Sequence, residues 1–353
     1  MNLDDILKQT SGWLKGTGPY SEIVISSRVR LARNIEKMIF PNWATDVQLE
    51  QALAIIEPAV QEIEEIKNGG LLVKIKDATN IDKQLMVERH LISRELIAKK
   101  EGRAVAISSD EIISIMINEE DHLRIQVLLP GFVLKECWSK IENIDNSLEK
   151  KLNVAFSAKL GYLTACPTNT GTGMRASVML HLPALVLTKQ INRVMQAIVK
   201  LGLTVRGLFG EGTEATGNFF QISNQVSLGK SEDEIIDNIT RILNQVLEYE
   251  QNARKVLMTK DRSNLEDQVW RAYGILKNAH IITSAETIEL LSNVRLGFDL
   301  GLIKGLARET INELFILTQP AHLQKLESKA LTAHKRDVKR AQLIREKIKE
   351  VII

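Results

Sequence analysis

The residue types best suited to chemistry fall into short clusters. Ser26-Ser27-Arg28-Val29-Arg30 is followed closely by Arg33. On an extended segment alternate positions share a face, so Arg28 and Arg30 would present two guanidinium forks side by side, a pair suited to a phosphate chain. The competing explanation is a solvated edge strand with spaced charges. Asn118-Glu119-Glu120-Asp121-His122-Leu123-Arg124 follows the apolar run Ile112 to Ile117. Turn chemistry accounts for Asn118 and Asp121, but three successive carboxylates repel one another unless a metal, an ammonium or a guanidinium lies among them.

Cys166-Pro167-Thr168-Asn169-Thr170-Gly171-Thr172-Gly173-Met174-Arg175-Ala176-Ser177 reads as a Gly- and Thr-rich loop opening a helix near Arg175. Such a loop offers backbone N–H groups and a helix N-terminus to an anion, although the G-x-x-x-x-G-K-[ST] spacing and its Lys are missing. A purely structural capping loop would look the same. Arg206-Gly207-Leu208-Phe209-Gly210-Glu211-Gly212 places another Arg beside another carboxylate in a flexible turn. His90 stands alone, and a lone His is more often structural.

These clusters need elements to hold them. Val47, Leu49, Leu53, Ile56, Val60, Ile63 and Ile66 recur at helical spacing, and Gly69-Gly70 ends that run before a strand over Leu71 to Ile75. Ala104 to Ile107, Ile112 to Ile117 and Leu123 to Leu129 read as an antiparallel meander. Val133 to Leu152 and Ala176 to Leu201 read as helices, with strands at Leu203 to Val205, Phe219 to Ile222 and Gln225 to Leu228. The expected class is α+β, with helices on one side of an antiparallel sheet. Ser231 followed by Glu234 opens a long helix toward Met258. Leu265 to Ala279, Ser284 to Leu296, Thr310 to Thr318 and Lys335 to Lys349 continue as amphipathic helices, so a catalytic domain over 1–255 and a helical domain over 256–353 are expected.

A chain of 353 residues with 44% hydrophobic and 25% charged residues can bury a sizeable core and is not a mainly disordered sequence. With 46 basic against 44 acidic residues the formal charge is +2, so no global field recommends nucleic acid or an anionic membrane. Any anion site must be local. Two cysteines, Cys137 and Cys166, argue against a disulfide framework and for a reducing cytoplasm. The opening stretch, Met1 to Gly18, mixes charges with apolar residues and reads as neither signal peptide nor anchor.

Taken in order, Ser-Ser-Arg-Val-Arg at 26–30, Asn-Glu-Glu-Asp-His-Leu-Arg at 118–124, Gly-Tyr-Leu-Thr-Ala-Cys-Pro-Thr-Asn at 161–169, Met-Arg-Ala-Ser-Val at 174–178 and Arg-Gly-x-x-Gly-Glu at 206–211 resemble the signatures of the ATP:guanido phosphotransferases. The resemblance implies a guanido kinase (glutamine synthetase-like) catalytic fold, with ATP and Mg²⁺ as nucleotide and cation. It implies that Ser26, Ser27, Arg28, Val29, Arg30, His90, Arg124, Arg175, Ala176, Ser177, Val178, Met179, Arg206, Gly207, Leu208, Phe209, Gly210 and Glu211 line the nucleotide site. Arg28, Arg30, Arg124, Arg175 and Arg206 would cage the phosphates, Glu120 and Glu211 would bind the guanidinium with Asp121 alongside, and Cys166 would lie beside the reacting nitrogen.

Two departures narrow the resemblance. The kinases of small guanidino metabolites carry a helical domain before the Ser-x-Arg-x-Arg segment, which here begins at residue 26, and Phe209 replaces a usual basic residue. A short front and a helical tail are instead similar to the bacterial protein arginine kinases of this family. Their tail carries Arg-Asp-x-x-Arg-Ala for phosphoarginine, and Arg336-Asp337-Val338-Lys339-Arg340-Ala341 matches it. On a helix Arg336 and Arg340 lie one turn apart with Asp337 alongside. That branch implies protein substrates with accessible arginine, a stress-response role in protein quality control, allosteric regulation by phosphoarginine and a homodimer. The partners it implies are a Clp-type unfoldase, a zinc-binding activator and a heat-shock repressor.

Overall fold

The computed structural model describes residues 3–98, 101–207 and 216–349. Its centre is an eight-stranded sheet in the order β2-β3-β4-β5-β1-β8-β10-β9. In chain order the strands are β1 Val24–Arg33, β2 Leu71–Lys74, β3 Ala104–Ile107, β4 Ile113–Ile117, β5 Leu123–Pro130, β6 Phe156–Ser157, β7 Gly161–Tyr162, β8 Met174–His181, β9 Leu203–Arg206 and β10 Phe219–Asn224. Every neighbouring pair in the large sheet is antiparallel, and β6 and β7 form a separate hairpin. The helices are α1 Asp46–Gln61, α2 Glu64–Lys67, α3 Asn80–Glu88, α4 Leu134–Glu149, α5 Pro183–Leu187, α6 Ile191–Lys200, α7 Glu232–Lys260, α8 Arg262–Asn278, α9 Ser284–Asp299, α10 Arg308–Leu317, α11 Pro320–Leu326 and α12 Ala333–Lys349.

Alternation divides the sheet into two faces. Val29 and Leu31 of β1, Ile125 and Val127 of β5, and Ala176 and Val178 of β8 point into one large core with α1, α4 and α7. The opposite face splits. At the β2–β4 end Val73, Val105, Ile107 and Met116 form a second core with Ile6 and with Met86 of α3. From β5 to β9 that same face carries the arginines. Helices therefore cover both faces, not one as the pattern suggested: the site occupies the part of the second face that α3 leaves open.

Two expected elements are corrected. Ala176 to Leu201 is not a single helix, because Met174–His181 is strand β8, inserted between β1 and β10, and only then do α5 and α6 follow. Met174, Ala176, Val178 and Leu180 are all buried, a period-two pattern that becomes decisive once the segment lies in the sheet interior. Gln225 to Leu228 is not a strand; its Ser227 hydroxyl instead donates to the carbonyls of Thr168 and Thr170 at 3.3 and 3.0 Å. The helix start at Ser231 is as expected: Ser231 Oγ accepts from Glu234 N at 3.2 Å and Glu234 Oε2 accepts from Ser231 N at 2.8 Å.

The expected domain boundary at 255/256 falls within α7, which runs unbroken to Lys260. Buried residues of α8, α9, α10 and α12 join the same core as the sheet. α11, which the pattern missed along with α3, packs directly on α3. Among the described residues no helix is long and apolar enough to cross a membrane.

Candidate active site

The register of the central strands sets the site. Arg30 of β1 lies opposite Arg175 of β8, Arg28 opposite Ser177, and Ala32 opposite Arg124 of β5, while Gln221 of β10 lies opposite both Met179 and Arg206. Arg28, Arg30, Arg124, Arg175 and Arg206 therefore share one sheet face across five adjacent strands, although they are scattered over 179 positions of sequence (28 to 206). Guanidinium groups placed opposite one another repel. Burial, then the charges of Arg124, Arg175 and Arg206, pull Arg28 down to about 9. Burial together with Arg28, Arg124 and Arg175 pushes Arg30 well below its ordinary value. Arginine stays protonated at neutral pH, so this lowering records a crowded positive charge that a polyanion would relieve.

A cavity runs beside the cage, lined by Trp13, Ser26, Arg28, His90, Leu128, Ser177, Met179 and Gln221. His90 has a left-handed backbone (φ 59°) and sits edge-on to Trp13 with ring centroids 5.4 Å apart. Its carbonyl accepts from Gln126 Nε2 at 2.8 Å. Burial, then the charge of Arg28, lowers its imidazole to about 4, so it is neutral. A wider surface depression on α1, lined by Asp46, Val47, Glu50, Gln51, Ala54 and Glu101, contains none of the arginines and is not part of this site.

The acidic knot occupies the β4–β5 hairpin, closed by Asn118 N donating to His122 O at 2.9 Å with Asn118 at φ 58°. Its three carboxylates have separate surroundings. Glu119 is buried and pairs with Arg124 at 2.5 Å, also accepting from Ser93 Oγ at 2.5 Å and from Glu120 N at 3.1 Å. Burial opposes its ionisation, but the Arg124 charge and these hydrogen bonds overcome it and hold the carboxyl at about 2. Asp121 accepts from Asn34 Nδ2 at 2.6 Å and from Ala165 N at 2.7 Å. It thereby pins the segment that leads into Cys166. Glu120, half-buried, is raised by burial and then by the negative charges of Asp121 and Glu119. A raised carboxyl is a better proton acceptor near neutrality.

Cys166 is partly exposed and its Sγ lies 3.0 Å from Thr168 Oγ1. Its loop leads into strand β8 rather than a helix, so the expected helix-end anion cradle does not form. The positive charge comes from the strands instead. Gly173 is required where the loop enters β8: at φ 67°, an added Cβ would stand 2.6 Å from Ala32 O.

Among the remaining expected nucleotide-site residues, Ser26, Ser177 and Met179 line the cavity, and Gly207 directly follows β9. Val29, Ala176 and Val178 face the large core, and Ser27 is buried with Oγ donating to Gly131 O at 2.8 Å. These four support the strands from behind. Leu208, Phe209, Gly210 and Glu211 lie outside the described residues. Arg33 belongs to the back face, in a buried pair with Asp145 at 2.6 Å. Sequence reasoning passed over Glu119 as a partner for Arg124, Asn34 as the donor that orients Asp121, and Trp13 as a cavity wall. Only the hairpin spacing from Glu119 to Arg124 offered a sequence signal.

In the tail, Arg336, Asp337, Arg340 and Ala341 lie on α12. Arg340 is buried, with Nε donating to Thr318 O at 2.7 Å and Nη1 to Ile282 O at 2.9 Å and to Asp337 Oδ1 at 2.5 Å. Burial lowers its pKa. Arg336 Nη1 donates to Leu331 O at 2.7 Å, and Ala341 is buried. Asp337 thus already holds one guanidinium, that of Arg340.

The family model for the ATP:guanido phosphotransferase C-terminal catalytic domain matches residues 51–253, and the model for the protein-arginine kinase McsB C-terminal domain matches 262–352. The chain belongs to the ATP:guanido phosphotransferase family. Among its relatives, the protein-arginine kinase of Desulforamulus reducens is 50% identical over 96% of this chain and 95% of its own length. That of Bacillus subtilis is 49% identical over 96% of this chain and 93% of its own. Of solved structures, a lombricine kinase matches with TM-score 0.58 and 25% identity over 71% of this chain and 70% of its own. A duplicated taurocyamine kinase from Schistosoma mansoni matches with TM-score 0.61 and 26% identity, covering 70% of this chain and 35% of its own.

Proposed function

We propose that the chain is an ATP-dependent protein-arginine kinase that transfers the γ-phosphoryl group of ATP to arginine side chains of other proteins. The observation that carries this reading is the convergence of five arginines on one sheet face, with the raised carboxyl of Glu120 electrostatically coupled to Arg124 at the edge of the cage. Full-length similarity to protein-arginine kinases supports a protein-borne acceptor.

A guanidinium is a poor nucleophile because its lone pairs are delocalised and it stays protonated. Glu120 binds the fork and accepts the proton as the N–P bond forms and the bond from the γ-phosphorus to the bridging oxygen breaks, ADP leaving, with Glu211 as the second carboxylate. Asp121 positions rather than reacts: by holding Ala165 N–H it keeps the Cys166 segment against the hairpin that carries Glu120. Cys166 tunes the charge beside the nitrogen. The arginine cage holds the polyphosphate and offsets charge on the transferring group, so the chain's contribution is positioning and electrostatics. The crowded guanidinium charge fits a magnesium nucleotide, whose Mg²⁺ would screen the phosphate oxygens. Mg²⁺ is usually held by one or two carboxylates together with substrate phosphates, so it would enter with the nucleotide.

Residues 256–353 serve as the regulatory part, with Arg336, Asp337, Arg340 and Ala341 as its phosphoarginine pocket, in a cytoplasmic homodimer. The test is mass spectrometry of an unfolded protein incubated with Mg·ATP and this chain, under neutral conditions that preserve the acid-labile N–P bond, beside a parallel assay with free arginine. Phosphoarginine on the protein is the expected result. Phosphorylation of free arginine alone, or of neither, overturns the proposal.

A further inference from the structure

The residues immediately before His90 are bound to the C-terminal helical part. Glu88 accepts from the first N–H groups of α11, from Ala321 N at 2.8 Å and His322 N at 3.1 Å, and its Oε2 lies 3.0 Å from His322 Nδ1. Arg89, fully buried, places Nη1 3.3 Å from His322 Nε2. The same guanidinium donates to both carboxylate oxygens of buried Glu111 at 2.7 and 2.5 Å, to Ser11 Oγ at 2.8 Å and to Gln9 O at 3.2 Å.

The partners assign one protonation state to His322. Nδ1–H donates to the carboxylate and the Nε2 lone pair accepts from the guanidinium, the neutral form that burial also favours. An imidazolium would place a second positive charge against Arg89, and the other tautomer would set a lone pair against Glu88. His322 therefore joins a part-buried anion to a buried cation, and that cation adjoins a wall of the nucleotide cavity. Arg89 is bonded in sequence to His90, and through Gln9 O and Ser11 it holds the segment that continues into Trp13.

We infer that His322 of α11 is a positioning residue for the nucleotide cavity: through Glu88 and Arg89 it sets His90 and Trp13 in their binding arrangement. The C-terminal part is then a component of the ATP site. An apolar contact would attach α11 to α3 equally well. A Glu–His–Arg–Glu chain adds one fixed geometry, because His322 is the side chain that links Glu88 to the Arg89–Glu111 pair and each contact is directional. His322 touches no substrate and acts only through its neighbours.

The inference rests on the nucleotide reading of this cavity, and the test separates the two. Mg·ADP binding is measured calorimetrically on the full chain for wild type, His322→Ala and Leu323→Ala. Leu323 is buried on the same helix but bonds to none of these groups, so it reports destabilisation alone. Apparent affinity scales with the fraction of protein in the competent arrangement. With that fraction cut to about a tenth, His322→Ala should bind Mg·ADP about tenfold more weakly and raise KM for ATP with KM for the protein acceptor unchanged. Leu323→Ala should lower the melting temperature with wild-type affinity. Wild-type affinity in His322→Ala, or equal weakening in Leu323→Ala, overturns the inference; no Mg·ADP binding by wild type overturns the nucleotide reading itself. Should His322→Ala fail to fold, Arg89→Lys, which keeps the charge but cannot span Glu111, Ser11 and His322 together, takes its place with the same expected outcome.

Discussion

Removing the Glu119 carboxylate should destabilise the protein by an amount that depends on pH in a way no neutral contact can imitate. An ordinary glutamate titrates near 4.5 and this one near 2, because Arg124, Ser93 and the Glu120 amide all favour its anion. At 1.36 kcal/mol per tenfold in proton affinity the difference is worth about 3 kcal/mol at pH 7. The folded value is depressed, so the stabilisation is complete above 4.5 and disappears as pH falls from there through about 2. By about pH 3 less than half should remain. Urea unfolding of wild type and Glu119→Gln at neutral pH and near pH 3 measures it. The variant should be weaker by about 3 kcal/mol at neutral pH, and the gap should narrow to less than half of that near pH 3. A gap of the same size at both pH values, or none at neutral pH, would refute the pairing as its source.

Glu120→Gln should leave Mg·ADP binding intact and lower protein phosphorylation by about 10²- to 10⁴-fold, the span of a general base. Because burial and its acidic neighbours raise the Glu120 carboxyl, the acid limb of wild-type kcat should lie at a pH above the ordinary 4.5 and be absent from Glu120→Gln. Arg30→Ala relieves a directly opposed guanidinium pair, so the free protein should melt no lower than wild type while nucleotide affinity falls, as thermal shift with and without Mg·ADP will show. In the tail, Arg340→Ala strands two buried carbonyls and Asp337 and should cost about 2 kcal/mol or more in unfolding free energy. Arg336→Ala loses one part-buried bond and should stay within about 1 kcal/mol. Arg336→Ala is therefore the cleaner variant for measuring phosphoarginine binding.

Much of this architecture was legible in the residues, and the failures share a cause. Segments bounded by turn chemistry and burying one face, such as β3–β4–β5 and α4, follow from local pattern. β8 did not, because Met174 to Leu180 satisfies both helical and strand spacing until β1 and β10 are placed on either side. α11 escaped because its seven residues are secured by Glu88, more than two hundred positions earlier, rather than by a cap of its own. The arginines were visible individually through the family motifs, but their shared face is a consequence of register. Arg124 aligns with Ala32 and not with Arg30, a two-residue offset that keeps parity and brings it into the cage. A slip of one residue would have turned it into the core.

The same register accounts for how the site works. A sheet interior strongly resists five like charges, and among the described residues Arg124 has a buried carboxylate partner, Glu119, within salt-bridge reach. The free protein thus holds Arg28 and Arg30 against both desolvation and mutual repulsion, with strands and the packed cores behind them preventing retreat. Negative charge entering this face is met by donors that need no reorganisation, which is where rigid dipoles and charges are most effective. Glu119 has a second consequence, since its ion pair with Arg124 is coupled to the orientation of the Glu120 amide. In the proposed mechanism one carboxylate therefore ties the arginine face to Glu120, and a defect in nucleotide grip at Arg124 should propagate to acceptor activation.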